Sequence, residues 1–337
     1  MKVKGMRVAL ECVRGSVSTA TDSVELNGQS MRVSDGRWWA EATLPEPIPT
    51  SLTLPYSKLR SIVKTLEEKE EMEIEPNGVK CLIKTSAASW ELTLLSIPPN
   101  LPPEFEAKAI IEVSGYQLLD AYKPLRHLIS LDLSDPGLMW AWTNENQELV
   151  VGSGYAFGAY PIEVEGLEIP LMALMEIGRI LAVRQSEKVS FKIREQFLSV
   201  AMRDFHFQTT LPSGPKFKPD WYANIRKKMT EDSQVLKTSR SSLKSAIDLV
   251  GVTAGESKFT LDSSNGALIL ASMDDRGNKS TVEIQALGTL RGPIILDLNH
   301  VIPILDALNE EMISLTVFES SILFSDKDYW EILMRIG

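Results

Sequence analysis

Two cysteines and three histidines in 337 residues leave little room for thiol or imidazole chemistry. Cys12 and Cys81 stand alone, without C-x-x-C spacing, so the sequence supports neither a zinc site nor a disulfide framework. Two buried free thiols in a reducing compartment are the expectation. No apolar run approaches the ~18–20 residues of a membrane span. In "MKVKGMRVALECV", Arg7 and Glu11 interrupt the apolar segment that a signal peptide requires. These absences predict a cytoplasmic chain with no membrane partner. An excess of positive charge is missing as well. A formal net charge of −10 argues against a protein that coats nucleic acid with its whole surface. It leaves open one that keeps its cations on a single face.

Catalytic signatures are also missing. "VVGSGYAFGAY" (Val150–Tyr160) spaces its glycines as G-x-G-x-x-x-G, close to a dinucleotide fingerprint. That fingerprint needs a helix directly after the glycines, where its N-terminus meets the pyrophosphate. Here Pro161 and the alternating Ile162 and Val164 predict another strand, so the stretch reads as a hairpin turn. Gly152-Ser153-Gly154 also fails as a nucleophile elbow, because Val151 and Tyr155 occupy the outer glycine positions. Asp204 and His206 share a strand face in "MRDFHFQ", but two ligands make no metal site, and a solvated outer face is the plainer reading. No catalytic residue, metal or cofactor is predicted.

What the sequence does have is a repeat. Segments from Thr53, Glu168 and Ile295 share one order of events. An amphipathic helix comes first, as in Leu59, Ile62, Val63 and Leu66, followed by a break and three short period-2 runs. Asn77-Gly78 and Asn265-Gly266 are hairpin signals. Upstream half-units, Tyr116–Leu131 and Ser241–Val252, double the unit to two helices and about eight strands. The fold class is therefore α+β, with three domains at 1–107, 108–234 and 235–337. The first is abbreviated at its N-terminus, where Met6, Ala9, Leu10 and Val13 fit a helix and Val8, Leu10 and Cys12 fit a strand.

Cations recur on equivalent helices: Lys58, Arg60 and Lys64; Lys123 and Arg126; Arg179 and Arg184; Arg240 and Lys244. The third repeat helix, "LNHVIPILDALNEE", is acidic and departs from this. A shared basic surface is the footprint of sequence-independent phosphate contact. "KFKPDWYANIRKK" (Lys216–Lys228) combines basic and aromatic residues that suit a DNA contact, but an interdomain connector held by Trp221 and Tyr222 is the plainer reading.

Taken in order, several segments resemble the bacterial sliding clamp, the DNA polymerase III beta subunit. "SVELNGQSMRVSDGRWWAEATL" matches the family's early strand pair. "VVGSGYAFGAY" stands at its T-D-G-H-R-L turn, "FKPDWYANI" at its F-P-D-Y-R-R-V segment, and "WEILMRIG" at its terminal P-M-R-L. The resemblance implies a non-enzymatic processivity factor without cofactor, a head-to-tail homodimer ringing double-stranded DNA. DNA polymerase and clamp loader would dock through short linear motifs. It places Trp90 and Leu92 at the dimer interface, and Gly152, Gly154, Tyr155, Phe157, Pro219, His300 (or Asn299), Met334, Arg335 and Ile336 in the peptide pocket. Departures from the family fall in that pocket. Tyr155 replaces a histidine, Ala156 an arginine, and Ala223-Asn224 an arginine-valine pair. The alternative reading is a clamp-like peptide-binding protein that is not loaded on DNA.

Overall fold

The structure, a computed structural model, describes residues 1–18, 20–100, 106–129, 139–194, 196–212, 227, 233–318 and 321–334. The chain opens with α1 (Val3–Val13), whose Met6, Ala9, Leu10 and Val13 share one buried stripe while Val8 is half-exposed. The helical spacing decides the N-terminal ambiguity. Then come β1 (Val24–Ser34), the 17-residue β2 (Trp38–Leu54), α2 (Tyr56–Thr65), β3 (Glu73–Asn77), β4 (Lys80–Lys84) and β5 (Ser89–Thr93).

The next stretch runs β6 (Ala109–Ser114), α3 (Gly115–Leu125), β7 (Trp140–Thr143), β8 (Glu148–Gly152), β9 (Ala156–Pro161) and β10 (Glu168–Pro170). It continues as α4 (Leu171–Val183), β11 (Lys188–Arg194), β12 (Phe197–Met202) and β13 (Phe205–Thr210). The last stretch repeats that order. It begins β14 (Gln234–Ser239), α5 (Arg240–Gly251), β15 (Lys258–Ser264), β16 (Ala267–Met273), β17 (Lys279–Leu287) and β18 (Ile294–Asp297). It ends with α6 (Leu298–Ala307), β19 (Met312–Val317), β20 (Ser321–Ser325) and β21 (Trp330–Met334). Side-chain caps fix two helix starts: Ser239 accepts from the Ser242 amide and Asp297 from the Asn299 amide.

The first copy is shortened in its strands, since its opening helix is complete. Where the other copies have four strands between helices, it has β1 and β2. Their pairing shifts register around Gly28, whose φ of +57° favours glycine.

Two compact units emerge, residues 1–119 with 176–212, and residues 120–175 with 213–337. In the first, an antiparallel sheet runs β1-β2-β13-β12-β11-β6, and a second runs β3-β4-β5. In the other unit one sheet has the order β10-β7-β8-β9-β21-β20-β19-β14-β17-β16-β15-β18. Among the described residues, no helix is long and apolar enough to cross a membrane.

Candidate functional site

The repeat aligns its helices by their buried residues. The first helix of each copy buries Met6, Ala9 and Val13; Leu118, Ala121 and Leu125; and Leu243, Ala246 and Val250. The second helix buries Leu59 and Ile62; Leu174 and Ile177; and Val301 and Ile304. Of the nine predicted cations, Lys58, Lys64, Lys123 and Arg126 are exposed. Lys123 pairs with Asp120 at 2.9 Å.

The other five are half-buried and engaged within the fold. Arg60 meets the Glu11 carboxylate at 2.7 Å, Arg184 meets Asp204, and Lys244 meets Asp306. Arg240 donates to the Leu308 carbonyl. Arg179 donates to the carbonyls of Glu11 and Cys12, while the buried Glu176 carboxylate holds it from behind. Periodicity placed these cations off the core stripe but gave no sign of their partners, which come from distant helices and loops.

Asp204 and His206 do not share a strand face. Asp204 occupies the turn between β12 and β13, and the half-buried His206 bonds Ser199 at 2.7 Å and packs edge-on against Trp39. Burial lowers the His206 pKa. Among the described residues, no group of three or more His, Cys, Asp or Glu is placed to hold a metal.

The glycine-rich stretch is the predicted hairpin, β8 turning into β9, closed by the Ser153 amide donating to Ala156 O at 2.8 Å. Its glycines differ in purpose. A Cβ on Gly152 would stand 2.1 Å from the Phe157 ring, and one on Gly158 would stand 2.7 Å from Leu128, whereas Gly154 faces open space. Gly152 and Gly158 are thus small for close packing. Tyr155 stacks on His300 with ring centroids 3.8 Å apart and planes 14° off parallel. Burial, then the nearby Glu331 carboxylate, raises the Tyr155 pKa.

Phe157 lies in the core, in a cluster with Val150, Ala159, Trp330 and Ile332 where β9 pairs with β21. Behind it Glu331, 1% exposed, accepts from Tyr329 OH and sits 2.8 Å from His127 Nε2. The structure therefore brings Gly152 to Phe157 and Tyr155 to His300. Pro219, Arg335 and Ile336 lie outside the described residues. Met334 is placed only by its backbone, opposite Ser321.

Trp90 and Leu92 are half-buried on β5, which pairs with β4 alone among the described strands. Sequence reading missed a second open edge. β17 pairs with β16, and with β14 only through Ala286 and Leu287, leaving half-buried Val282 and Ile284 along a free rim among the described strands. Beside it, Leu249 in the last turn of α5 and Val252 just past its end are 59% and 83% exposed. Period-2 alternation in "KSTVEIQAL" was the available signal.

No protein-family model and no curated protein matches the chain, but solved structures do. A DnaN sliding clamp (DNA polymerase III subunit beta) from Pseudomonas aeruginosa, bound to griselimycin, superposes with a TM-score of 0.85 at 17% identity, covering 100% of this chain and 98% of that one. The DNA polymerase III beta subunit from Thermotoga maritima gives 0.85 at 15% identity, with the same coverage. A putative beta subunit from Eubacterium rectale gives 0.82 at 15%, over 99% and 97%. The fold is that of the bacterial sliding clamps. At such identities the likeness is one of architecture, end to end.

Proposed function

We propose that this protein is a DNA sliding clamp. Three-domain subunits, with domains at 1–107, 108–234 and 235–337, close head to tail into a homodimeric ring around duplex DNA. DNA polymerase and clamp loader dock through short linear motifs at the pocket that includes Tyr155 and His300. The observation that carries this reading is a joint made twice, with the parts of a third left open. β2 of the first copy pairs with β13 of the second, and β9 of the second pairs with β21 of the third. By position in the repeat, β17 corresponds to β2 and β9, while β5 corresponds to β13 and β21. Both are open edges among the described strands, and an open apolar edge is a liability that proteins cover. Pairing β5 with the partner's β17 would set Trp90 and Leu92 against Val282 and Ile284.

Enclosure explains how a net charge of −10 is compatible with DNA binding. A ring holds by topology, so a thin lining such as Lys58 and Arg126 suffices, touching phosphates and reading no bases. Retention on nicked circular duplex, with release on linearising it, tests the reading. Peptide binding without retention would favour a clamp-like protein that is not loaded, the reading suggested by the Arg60, Arg179 and Arg240 guanidinia being used inside the fold.

A further inference from the structure

At each internal joint a second-helix residue faces the last turn of a first helix, and the two positions carry opposite charges. Arg179 of α4 reaches the end of α1 at Glu11, donating to its carbonyl. The equivalent position on α6 is Asp306, and it shares a cleft of about 410 Å³ with Lys123 of α3, the equivalent of Glu11. The signs are reversed and still opposite across the cleft, with Asp306 bonded to Lys244 and Lys123 to Asp120 of their own copies. Carried once more around the repeat, the same two positions are Lys64 on α2 and Asp248 on α5.

Both are exposed, and neither has an ion-pair partner among the described residues. Asp248 lies in the last turn of α5, where the negative end of the helix dipole disfavours a carboxylate and no basic residue of that turn offsets it. Glu11 occupies the same place in α1 and is offset by Arg60 and Arg14. The next residue tells the same story. Cys12 and Pro124 are buried at their joints, while their equivalent Leu249 is 59% exposed. The end of α5 is built like a joint whose covering helix is absent from this chain.

We propose that Lys64 seats against the partner subunit's Asp248, over the partner's Leu249, as the charged contact that registers the two subunits. This rests on the ring reading above and assigns Lys64 to the subunit joint, away from the DNA lining. Complementary charge at such a contact sets specificity and register.

Sedimentation of the full chain without DNA tests it, using K64E, D248K and the K64E/D248K swap. Each single reversal places like charges together, and the dimer dissociation constant rises about tenfold or more at low salt. The swap returns it to within about threefold of the starting protein, and 1 M salt compresses all differences. A dimer that the single reversals leave unchanged, or a swap as weak as the singles, overturns the pairing while the ring reading stands. A starting protein that is monomeric at every concentration removes the ring reading itself.

Discussion

Arg179 Nη2 donates to the main-chain carbonyl of Cys12 at 2.9 Å, across 167 residues of sequence. The guanidinium thereby adds a donor at the end of α1, where carbonyls lack an intrahelical amide; the Glu11 carbonyl, which it also reaches, already accepts from the Arg14 amide. Removing it as Arg179→Ala also strips the buried Glu176 carboxylate of its cation. Hydrogen bonds to charged groups contribute roughly 1.5–3 kcal/mol each, so a destabilisation of about 2–4 kcal/mol is expected. Urea unfolding measures it. Unchanged stability with weakened DNA retention would mean that Arg179 serves the lining alone.

Gly152 and Gly154 are two residues apart and should respond in opposite ways. Gly152→Ala drives a methyl into the Phe157 ring and should cost about 1–3 kcal/mol as an overpacked core. Gly154→Ala meets nothing and should stay within about 0.5 kcal/mol of the starting protein. Paired thermal melts decide, and equal effects would refute the packing account.

The thiols give a pH signature. Burial pushes Cys12 and Cys81 up to about 11, and burial raises the Tyr56 hydroxyl as well. A folded-state pKa above the unfolded one means that stability is intact below about pH 9, where the thiols begin to ionise when unfolded. It then falls as pH climbs towards 11, by at most about 1.4 kcal/mol per pH unit for each group. Unfolding midpoints from pH 8 to 11 should fall less steeply in C12A/C81A. Ellman's reagent at pH 8 should label neither cysteine until denaturant is added.

Lys58 and Arg126 are exposed, with no bonded partner among the described residues, so substituting them should leave unfolding unchanged. On nicked circular DNA, Lys58→Ala and Arg126→Ala should each shorten retention. The slope of log affinity against log salt should fall by about 0.9 for each phosphate the variant no longer neutralises. Altered melting with unaltered retention would place these side chains elsewhere.

Periodicity carried most of the fold, because helices such as α1 and α5 bury a stripe at i, i+3, i+4 and strands such as β16 and β19 alternate. β8 and β9, by contrast, are buried in continuous runs. The turn dipeptide was only half informative. Asn265-Gly266 is the whole loop, both residues at positive φ, whereas in Asn77-Gly78 the asparagine ends β3 and the loop is Gly78-Val79. What stayed hidden was pairing at a distance. Nothing near Arg60 announces Glu11, and nothing near Tyr155 announces His300, since such contacts are set by which helix ends the topology brings together. The resemblance named Tyr155, Phe157 and His300 together, but gave no sign that Phe157 is buried in the core.

The pairing of Trp330–Met334 with Ala156–Pro161 also has a kinetic side. During synthesis β9 leaves the ribosome some 170 residues ahead of the strand that covers it, a wait of about ten seconds or more at ~5–20 residues per second. Through that interval Val150 and Phe157 sit beside an unpaired ladder of amides and carbonyls. Vulnerability to aggregation should therefore peak in the nascent chain, when β8 and β9 are out and β21 is still untranslated.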